Sequence, residues 1–304
     1  MQQQNTLILI VTFQGASTIC QTIAACLSDS LPGQDILIID NASSDGTPAL
    51  VKSLSCPGMR ILEMEKNIGV AAAYNIGLKK AREWGKKWLF ILDQDSVCQS
   101  VCLNKLLHTA QFFQDKGEKI AAVCPTVKSS IFPHIIHFPY GWDGTVFFPI
   151  TGNGTDQIRI DSTVSSGTLY SVNALVSVGG FREEYFIDFV DHDCHLRLRE
   201  AGWIIMWEKK AEIYHNLGKI QRFTHEGLWI EHAPYRYYYM ARNMADGFYR
   251  FGKSKAILHF ASELMRHLLR LIKYGRNPYQ SIYYIFRGVG DAIRKKFGKL
   301  DSDL

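Results

Sequence analysis

Apolar runs alternate with segments of helical period over the first 125 residues. Residues 7–13 form a continuous run of the kind that makes a buried strand, and 16–28 carry apolar positions at helical spacing. Residues 36–39 are a second strand, and 45–54 a helix that starts on Asp-Gly-Thr-Pro. The pattern continues with a short strand at 60–63, a helix at 68–84, a strand at 88–92, a helix at 100–116 and a strand at 120–124. Short strands separated by helices predict an α/β fold, a mostly parallel sheet with crossover helices on its faces. The period is lost over 126–164, where HFPYGWDGTVFFPITGNGT reads as irregular structure or a hairpin. Residues 162–181 carry no charge and read as a loop and a buried segment rather than a membrane span. Helical patterns return from 183, and 232–297 reads as wholly helical.

Composition adds limits. Hydrophobic residues make up 47% of the 304 positions and charged ones 21%, the balance of a soluble globular protein. The seven cysteines contain no C-x-x-C pair and read as reduced thiols of a cytoplasmic protein. The N-terminal MQQQNTLILIVTF has no basic leader and no signal-peptide pattern. The net charge of +5 is concentrated in the tail: twelve Lys or Arg lie between Arg250 and Lys299, against Glu263 and Asp291. There, Ile257, Phe260, Leu264, Leu268 and Leu271 recur at helical spacing among Arg266, Arg270 and Lys273. Ile282, Ile285, Phe286, Val289 and Ile293 repeat the mixture beside Arg287, Arg294, Lys295 and Lys296. Such helices either pack on the catalytic domain or lie on an anionic membrane surface. The second reading predicts a peripheral protein at the inner face of the plasma membrane. No nucleic-acid partner is expected.

In open parallel sheets, ligands bind beyond the carboxyl ends of the strands. Thr12 and Phe13 follow the first strand, and Asp40, Asn41, Ser43, Ser44 and Asp45 the second. Asn67, Gly69, Asn75 and Gly77 follow the third, and Asp93 and Asp95 end the fourth in LDQDS. Ser44 and Asp45 also suit a helix cap, and the glycines close packing. Asn75 and Gly77, however, weaken an alanine-rich helix without local gain, as functional positions do. Asp93 and Asp95 project to one side of an extended chain and repel by roughly 4 kcal/mol at ~4 Å for an effective dielectric of about 20. Neither glycine-rich phosphate cradle is present. A divalent cation, Mg²⁺ or Mn²⁺, would both neutralise the pair and bridge to phosphate oxygens.

VTFQ, IIDNASSDGT, KNIGVAAAYNIG and LDQDS, in this order, resemble the front half of family 2 glycosyltransferases, which have the GT-A fold. With FIDFVDHDCHLRLREAGW further on, the chain is most similar to the bacterial rhamnosyltransferase branch, over roughly residues 5–250. The resemblance implies that Thr12 and Asp40 contact the nucleoside, with Phe13 and Gly69 in the same cofactor-binding edge. It implies that Asn67 and Asn75 flank base and ribose or position the neighbouring loop, and that Asp93 and Asp95 hold the metal on the donor diphosphate. It places the general base on Asp191. Val190 stands where many members carry an acid, which leaves Asp188 and Asp193 as alternatives. One of Arg197 and Arg199 pairs with these aspartates or both are surface charge, with Arg199 read as the latter. His215 in AEIYHNLG is either a packing residue or a third metal ligand, since a histidine near this point reaches metal or diphosphate in metal-dependent members. Arg242, in YRYYYMARN, resembles a recurrent Arg-Asn pair and is a candidate for the donor phosphates.

The resemblance therefore implies a metal-dependent inverting glycosyltransferase that moves L-rhamnose from dTDP-L-rhamnose to a hydroxyl of a glycan or lipid-linked acceptor in cell-surface polysaccharide synthesis. Direct displacement needs one base and no enzyme nucleophile. The alternatives are a UDP-hexose donor on the same fold and a non-catalytic nucleotide-binding module. A nucleotidyltransferase would want a basic glycine-rich loop where VTFQGAS has none. On this division 1–250 is the catalytic domain, 1–125 its nucleotide-sugar half and 126–250 its acceptor and base half, followed by a basic helical extension at 251–304.

Overall fold

The computed structural model describes residues 5–28, 35–54, 56–152, 154–215, 220–225 and 227–300. Strands β1 (Thr6–Thr12), β2 (Asp35–Asp40), β3 (Met59–Glu63) and β4 (Trp88–Asp93) are joined by helices α1 (Ile19–Ser28), α2 (Thr47–Ser53) and α3 (Val70–Glu83). They lie parallel in the order β3–β2–β1–β4. Alternation along each strand divides the core in two. Leu7, Leu9, Val11, Leu37, Ile39, Leu89 and Ile91 face the alanine-rich side of α3. Ile8, Ile10, Ile36, Ile38, Phe90 and Leu92 face α1 and the helix α4 (Cys102–Asp115). Both faces are covered, which is why these strands read as continuous apolar runs. Gly77 is where α3 comes closest to the sheet: a Cβ there would lie 2.3 Å from Leu9 Cδ2.

The sheet is extended by β6 (Ile120–Lys128), β10 (Gln157–Ile160), β11 (Thr168–Ser171) and β12 (Ile204–Tyr214), giving the order β10–β12–β6–β11–β4–β1–β2–β3. The two-residue strands β5 (Val97–Cys98) and β7 (Ile136–His137) pair with β12 and β6. β11 runs antiparallel between β4 and β6, while β12 is parallel to β6, so the sheet is mixed with its long ladders parallel. The aromatic segment 126–164 holds the hairpin β8 (Tyr140–Trp142) and β9 (Phe147–Pro149). Helices α5 (Val172–Ser177) and α6 (Val190–Glu200) precede β12. β12 is longer than the short strand expected before His215; it breaks at a bulge between Glu208 and Glu212, where Lys209 and Lys210 interrupt its apolar run, and then resumes. The hairpin β13 (Ile220–Thr224) and β14 (Gly227–Glu231) follows.

The helical tail divides into α7 (Pro234–Phe251), α8 (Ala256–Tyr274) and α9 (Pro278–Ile293), broken at Gly252 and Gly275, both extended. The expected apolar stripes are largely consumed by packing. Phe260, Leu268, Leu271 and Ile285 are buried against α7 partners such as Tyr237, Ala241 and Phe248, with Leu264, Ile282 and Val289 packed beside them. Ile257, Phe286 and Ile293 of the same stripes stay exposed. Among the described residues no helix is long and apolar enough to cross a membrane. None of the seven cysteines is in a disulfide.

Desolvation favours the neutral form of four histidines: it pushes the half-buried His137, His232 and His267 down to about 4 and the buried His195 to about 3. The unfolded chain protonates them near 6.5, so between those values it binds more protons than the folded chain, and the stability they carry falls as pH drops. His267, stacked on Trp229, is a clean test. Relative to wild type, the urea midpoint of His267→Phe should move in the variant's favour between pH 7 and pH 5; an unchanged difference would refute the linkage.

Candidate active site

Strand order reverses between β1 and β4, because β2 and β3 lie on one side of β1 and β4 on the other. The crevice at that switch point is where such sheets bind ligands. Register brings Thr12 opposite Asp40, and Val11 opposite Asp93. Gln94, between the two aspartates, ties the strand ends together: its Oε1 accepts from Thr12 Oγ1 at 2.7 Å and from Phe13 N at 2.8 Å. The Phe13 side chain is exposed.

Asp93 lies recessed in the crevice with 35% of its side chain reachable by solvent. Its main-chain N–H donates to Ser166 Oγ at 2.9 Å and Tyr74 OH donates to Oδ1 at 3.2 Å. His215, at the end of β12, sits against both aspartates: Nδ1 is 3.1 Å from Asp95 Oδ1 and Nε2 is 3.5 Å from Asp93 Oδ2. Ser96 Oγ lies 3.1 Å from the same Nδ1 and 2.6 Å from Ser166 Oγ, so two buried hydroxyls support the imidazole. Burial raises Asp93 above the usual carboxylate range, and Asp95 and Asp191 add to this against His215. Burial disfavours the charged imidazole, yet Asp95 and Asp93 hold His215 above its ordinary value.

The positive charge expected between the aspartates is thus already partly supplied by a side chain. Among the described residues no three His, Cys, Asp or Glu side chains are gathered into a metal cage. The donor set nevertheless suits a divalent cation: two carboxylates and one imidazole on one crevice wall are ligands for Mn²⁺ or Mg²⁺. Such binding would displace the imidazole proton, since only neutral histidine ligates.

The second acidic cluster sorts itself by partner. Asp193 is buried between Arg197 at 2.8 Å and Arg250 at 2.6 Å. Asp188 is held by Arg236 at 2.5 Å. Asp191, in the first turn of α6, has no ion pair among the described residues; its Oδ2 accepts from Ser165 N at 3.3 Å and Oδ1 from His192 N at 2.9 Å. Arg197 is the arginine that pairs with this cluster, and Arg199 pairs with Asp161 at the surface.

The chain reaches Asp191 through strained backbone. Phe186, Asp188 and Phe189 have φ of 66°, 64° and 62°, a region that bulky residues rarely adopt and that costs about 1–3 kcal/mol each. Asn243 Nδ2 holds the segment, lying 2.8–3.0 Å from the carbonyls of Tyr185, Ile187 and Asp188. Arg242 is wholly buried beside it and donates to Glu184 O, Tyr185 O, Gly298 O and Asn243 Oδ1. This corrects the phosphate expectation for Arg242: a phosphate would have to displace those acceptors from a site without solvent. Arg236, six positions earlier, is a cation coupled to this site: it acts on His215, and Asp93 acts on it.

At the end of β2, Asp40 is buried; Oδ2 accepts from Ser43 N at 2.8 Å and Oδ1 has no partner among the described residues. An orphaned buried acceptor fits a ligand hydroxyl or N–H. Asn41 braces the next turn, accepting from Ile68 N and donating to Gly69 O, each at 3.3 Å. Asn67 Oδ1 accepts from Gly69 N at 3.0 Å. Gly69 has φ of 84°, and a Cβ there would lie 2.6 Å from Phe186. Asn75 pairs with the Phe181 main chain in both directions, at 2.7 and 2.8 Å, and donates to Glu183. The side chains of Asn67 and Asn75 are thus engaged in hydrogen bonds to neighbouring loops.

Residues 7–175, more than half of the chain, match the model of the Glycosyl transferase family 2. The chain belongs to this family. Among its relatives, it is 28% identical over 188 residues to the dTDP-rhamnosyl transferase RfbF of Shigella flexneri, covering 61% of each chain. It is 27% identical over 208 residues to the N-acetylglucosaminyl-diphospho-decaprenol L-rhamnosyltransferase of Mycobacterium tuberculosis, covering 60% of this chain and 66% of that one. The chain thus spans less than two thirds of the length of either relative. The crystal structure of GalNAc-T7 with UDP, GalNAc and Mn²⁺ superposes with a TM-score of 0.64 at 14% identity, over 95% of this chain and 56% of that one. That likeness bears out the GT-A fold.

In this family 2 chain Gln94, Tyr74, Ser96, Ser166 and Arg236 join the site without having been singled out from the sequence. Gln94 and Ser96 lie inside the DQDS motif itself, and Arg236 opens the same YRYYYMARN segment as Arg242. The clamp role of Arg242 has a direct test. Arg242→Ala should lower unfolding free energy by about 2–4 kcal/mol, as stranded buried carbonyls do, whereas Asp191→Asn should stay within about 0.5 kcal/mol of wild type. An Arg242→Ala protein of unchanged stability would return the residue to the phosphate candidates.

Proposed function

We propose that this glycosyltransferase is a metal-dependent inverting enzyme that transfers L-rhamnose from dTDP-L-rhamnose to a hydroxyl of a glycan or lipid-linked saccharide. The observation that carries the reading is the contrast among the acidic groups: Asp188 and Asp193 are neutralised by arginines, and Asp191 is left to accept a proton. The donor assignment is supported by the activities named for the Shigella and mycobacterial relatives. The same names suit a role in cell-surface polysaccharide synthesis.

In this reading Asp191 takes the proton of the acceptor hydroxyl while that oxygen attacks the anomeric carbon. The bond from that carbon to the diphosphate oxygen breaks with its electron pair leaving on the diphosphate, and the configuration inverts. Ser165 N and His192 N orient the Asp191 carboxylate. Asp40 offers its free oxygen to the nucleoside, and Thr12, fixed by Gln94, lines the same edge. Asp93, Asp95 and His215 would hold Mg²⁺ or Mn²⁺, and such a cation supplies neutralisation of diphosphate charge when bound. Residues 1–250 form the catalytic part in this proposal and 251–304 its basic extension. We place the protein in the cytoplasm, against the inner face of the plasma membrane.

Two substitutions separate the parts. Asp95→Asn should abolish metal-dependent donor binding with the fold intact, read by calorimetry with dTDP and UDP in the presence of Mg²⁺, Mn²⁺ or EDTA. Nucleotide binding indifferent to EDTA and to this substitution would remove the metal from the proposal. Asp191→Asn should lower kcat by about 10²–10⁴, the range of general acid–base catalysis, at nearly unchanged donor affinity. Turnover within a few-fold of wild type would take Asp191 out of the mechanism, and heavier damage in Asp188→Asn or Asp193→Asn would move the role there.

A further inference from the structure

Outside the crevice, a cavity of about 590 Å³ opens where α9 and residues 294–300 meet α7. Four cations line it, Arg287, Arg294, Lys296 and Lys299, against one carboxylate, Asp291. Asp291 accepts from Tyr238 OH at 2.9 Å and lies 3.9 Å from Arg294. Arg287, Lys296 and Lys299 have no ion pair among the described residues. A concave site with three cations that lack an ion pair among the described residues suits an anion, and arginine forks suit phosphate oxygens in particular.

The rim shows what carries that phosphate. Tyr279, Tyr283, Phe286 and Ile293 are 85, 60, 59 and 77% exposed. Their spacing of four, three and seven places them on one face of α9. Tyr283 and Phe286 belong to the cavity wall as well. A second exposed set, Leu258, Met265, Leu269 and Ile272, shares one face of α8 by the same spacing. Burial of Phe260, Leu268 and Leu271 against α7 uses the opposite side of that helix, so these exposed residues are surplus to packing. A small soluble anion would need the cations and gain nothing from the aromatic rim. A bilayer lipid uses both: phosphate enters the cationic cavity while tyrosine and phenylalanine rest among headgroups and upper acyl chains.

We propose that this cavity binds the phosphate of an anionic phospholipid headgroup, with the exposed α9 face lying in the bilayer interface. The inference rests on reading the basic extension as membrane-facing, and it adds a discrete headgroup site to what would otherwise be a diffuse charge effect. The Phe297–Leu300 segment that lines the cavity is bonded to the acceptor half of the enzyme: Gly298 N donates to Glu184 O, and Tyr239 OH accepts from Leu300 N. A seated lipid would therefore fix the approach of the catalytic loop to the membrane.

The test is sedimentation of the full chain with vesicles of phosphatidylcholine alone or with phosphatidylglycerol. Wild type should bind only the anionic vesicles. Each removed cation near such a surface weakens binding roughly fivefold, so Arg287→Ala/Lys296→Ala/Lys299→Ala should lose about 100-fold. Lys79→Ala/Lys116→Ala/Lys119→Ala, an equal loss of exposed charge elsewhere, should lose less than tenfold. Equal losses in the two triple variants would overturn the cavity in favour of diffuse attraction. Phe286→Ser should weaken vesicle binding yet leave calorimetric titration by glycerol phosphate unchanged. Glycerol phosphate that binds wild type as tightly as vesicles do would make this a free-phosphate site and overturn the lipid assignment. Donor binding by the Arg287 triple variant should equal wild type, and Asp95→Asn should keep vesicle binding. Failure of the transferase reading would thus show in donor binding alone, and failure of the headgroup site in vesicles alone.

Discussion

Like charge crowds around Asp93, from Asp95 beside it on the chain and from Asp191 on α6, and the rest of the site is arranged about that constraint. Partial burial of Asp93 disfavours its charge further, and Asp95 and Asp191 add to this. The surrounding charges are distributed accordingly. His215 leans on the β4 pair, Arg236 serves Asp188 and extends its field toward that pair, and Arg197 with Arg250 neutralises Asp193. Asp191 is the carboxylate left uncompensated. An acid whose charge is already satisfied makes a poor base, and this contrast is what the proposal for Asp191 rests on.

Holding Asp191 in place requires backbone that would not persist alone. Three non-glycine residues between Phe186 and Phe189 have positive φ, and they are stabilised by carbonyl contacts to Asn243 and by the buried guanidinium of Arg242. The same loop is braced from the nucleotide side. Phe186 O accepts from Val70 N at 2.8 Å, and Asn75 holds Phe181. Helix α3 and the segment that leads to Asp191 are thus joined directly by hydrogen bonds.

The front half was legible because its strands are buried on both faces and its helices obey one period; every element that the apolar pattern predicts over 7–124 is present, while the two-residue β5 was not foreseen. β11 was harder to read, being four buried residues, TLYS, without alternation or length to separate them from a loop. β12 was read as short because Lys209 and Lys210 stand at its bulge. Motif order located Asp93, Asp95 and Asp191 as candidates, but it could not distinguish Arg236 from Arg242, two arginines in one helix. Only burial and partners divide them, and those depend on residues 184–188 and 298, distant in sequence. The apolar stripe of α8 was seen on its packed side. Its exposed side is equally apolar, and no periodicity argument says which of two apolar faces meets the core.

The bond from Arg242 to the carbonyl of Gly298 has a consequence for how the enzyme comes into being. The clamp that shapes the catalytic loop draws acceptors from Glu184, Tyr185 and a glycine far downstream, so it closes only after that glycine has been synthesised and folded back. During translation the parallel strands β1–β4 can reach their final form early, from local crossovers, while the segment that leads to Asp191 still lacks its clamp. A nascent chain would therefore complete those strands first and fix Asp191 last, when the tail docks.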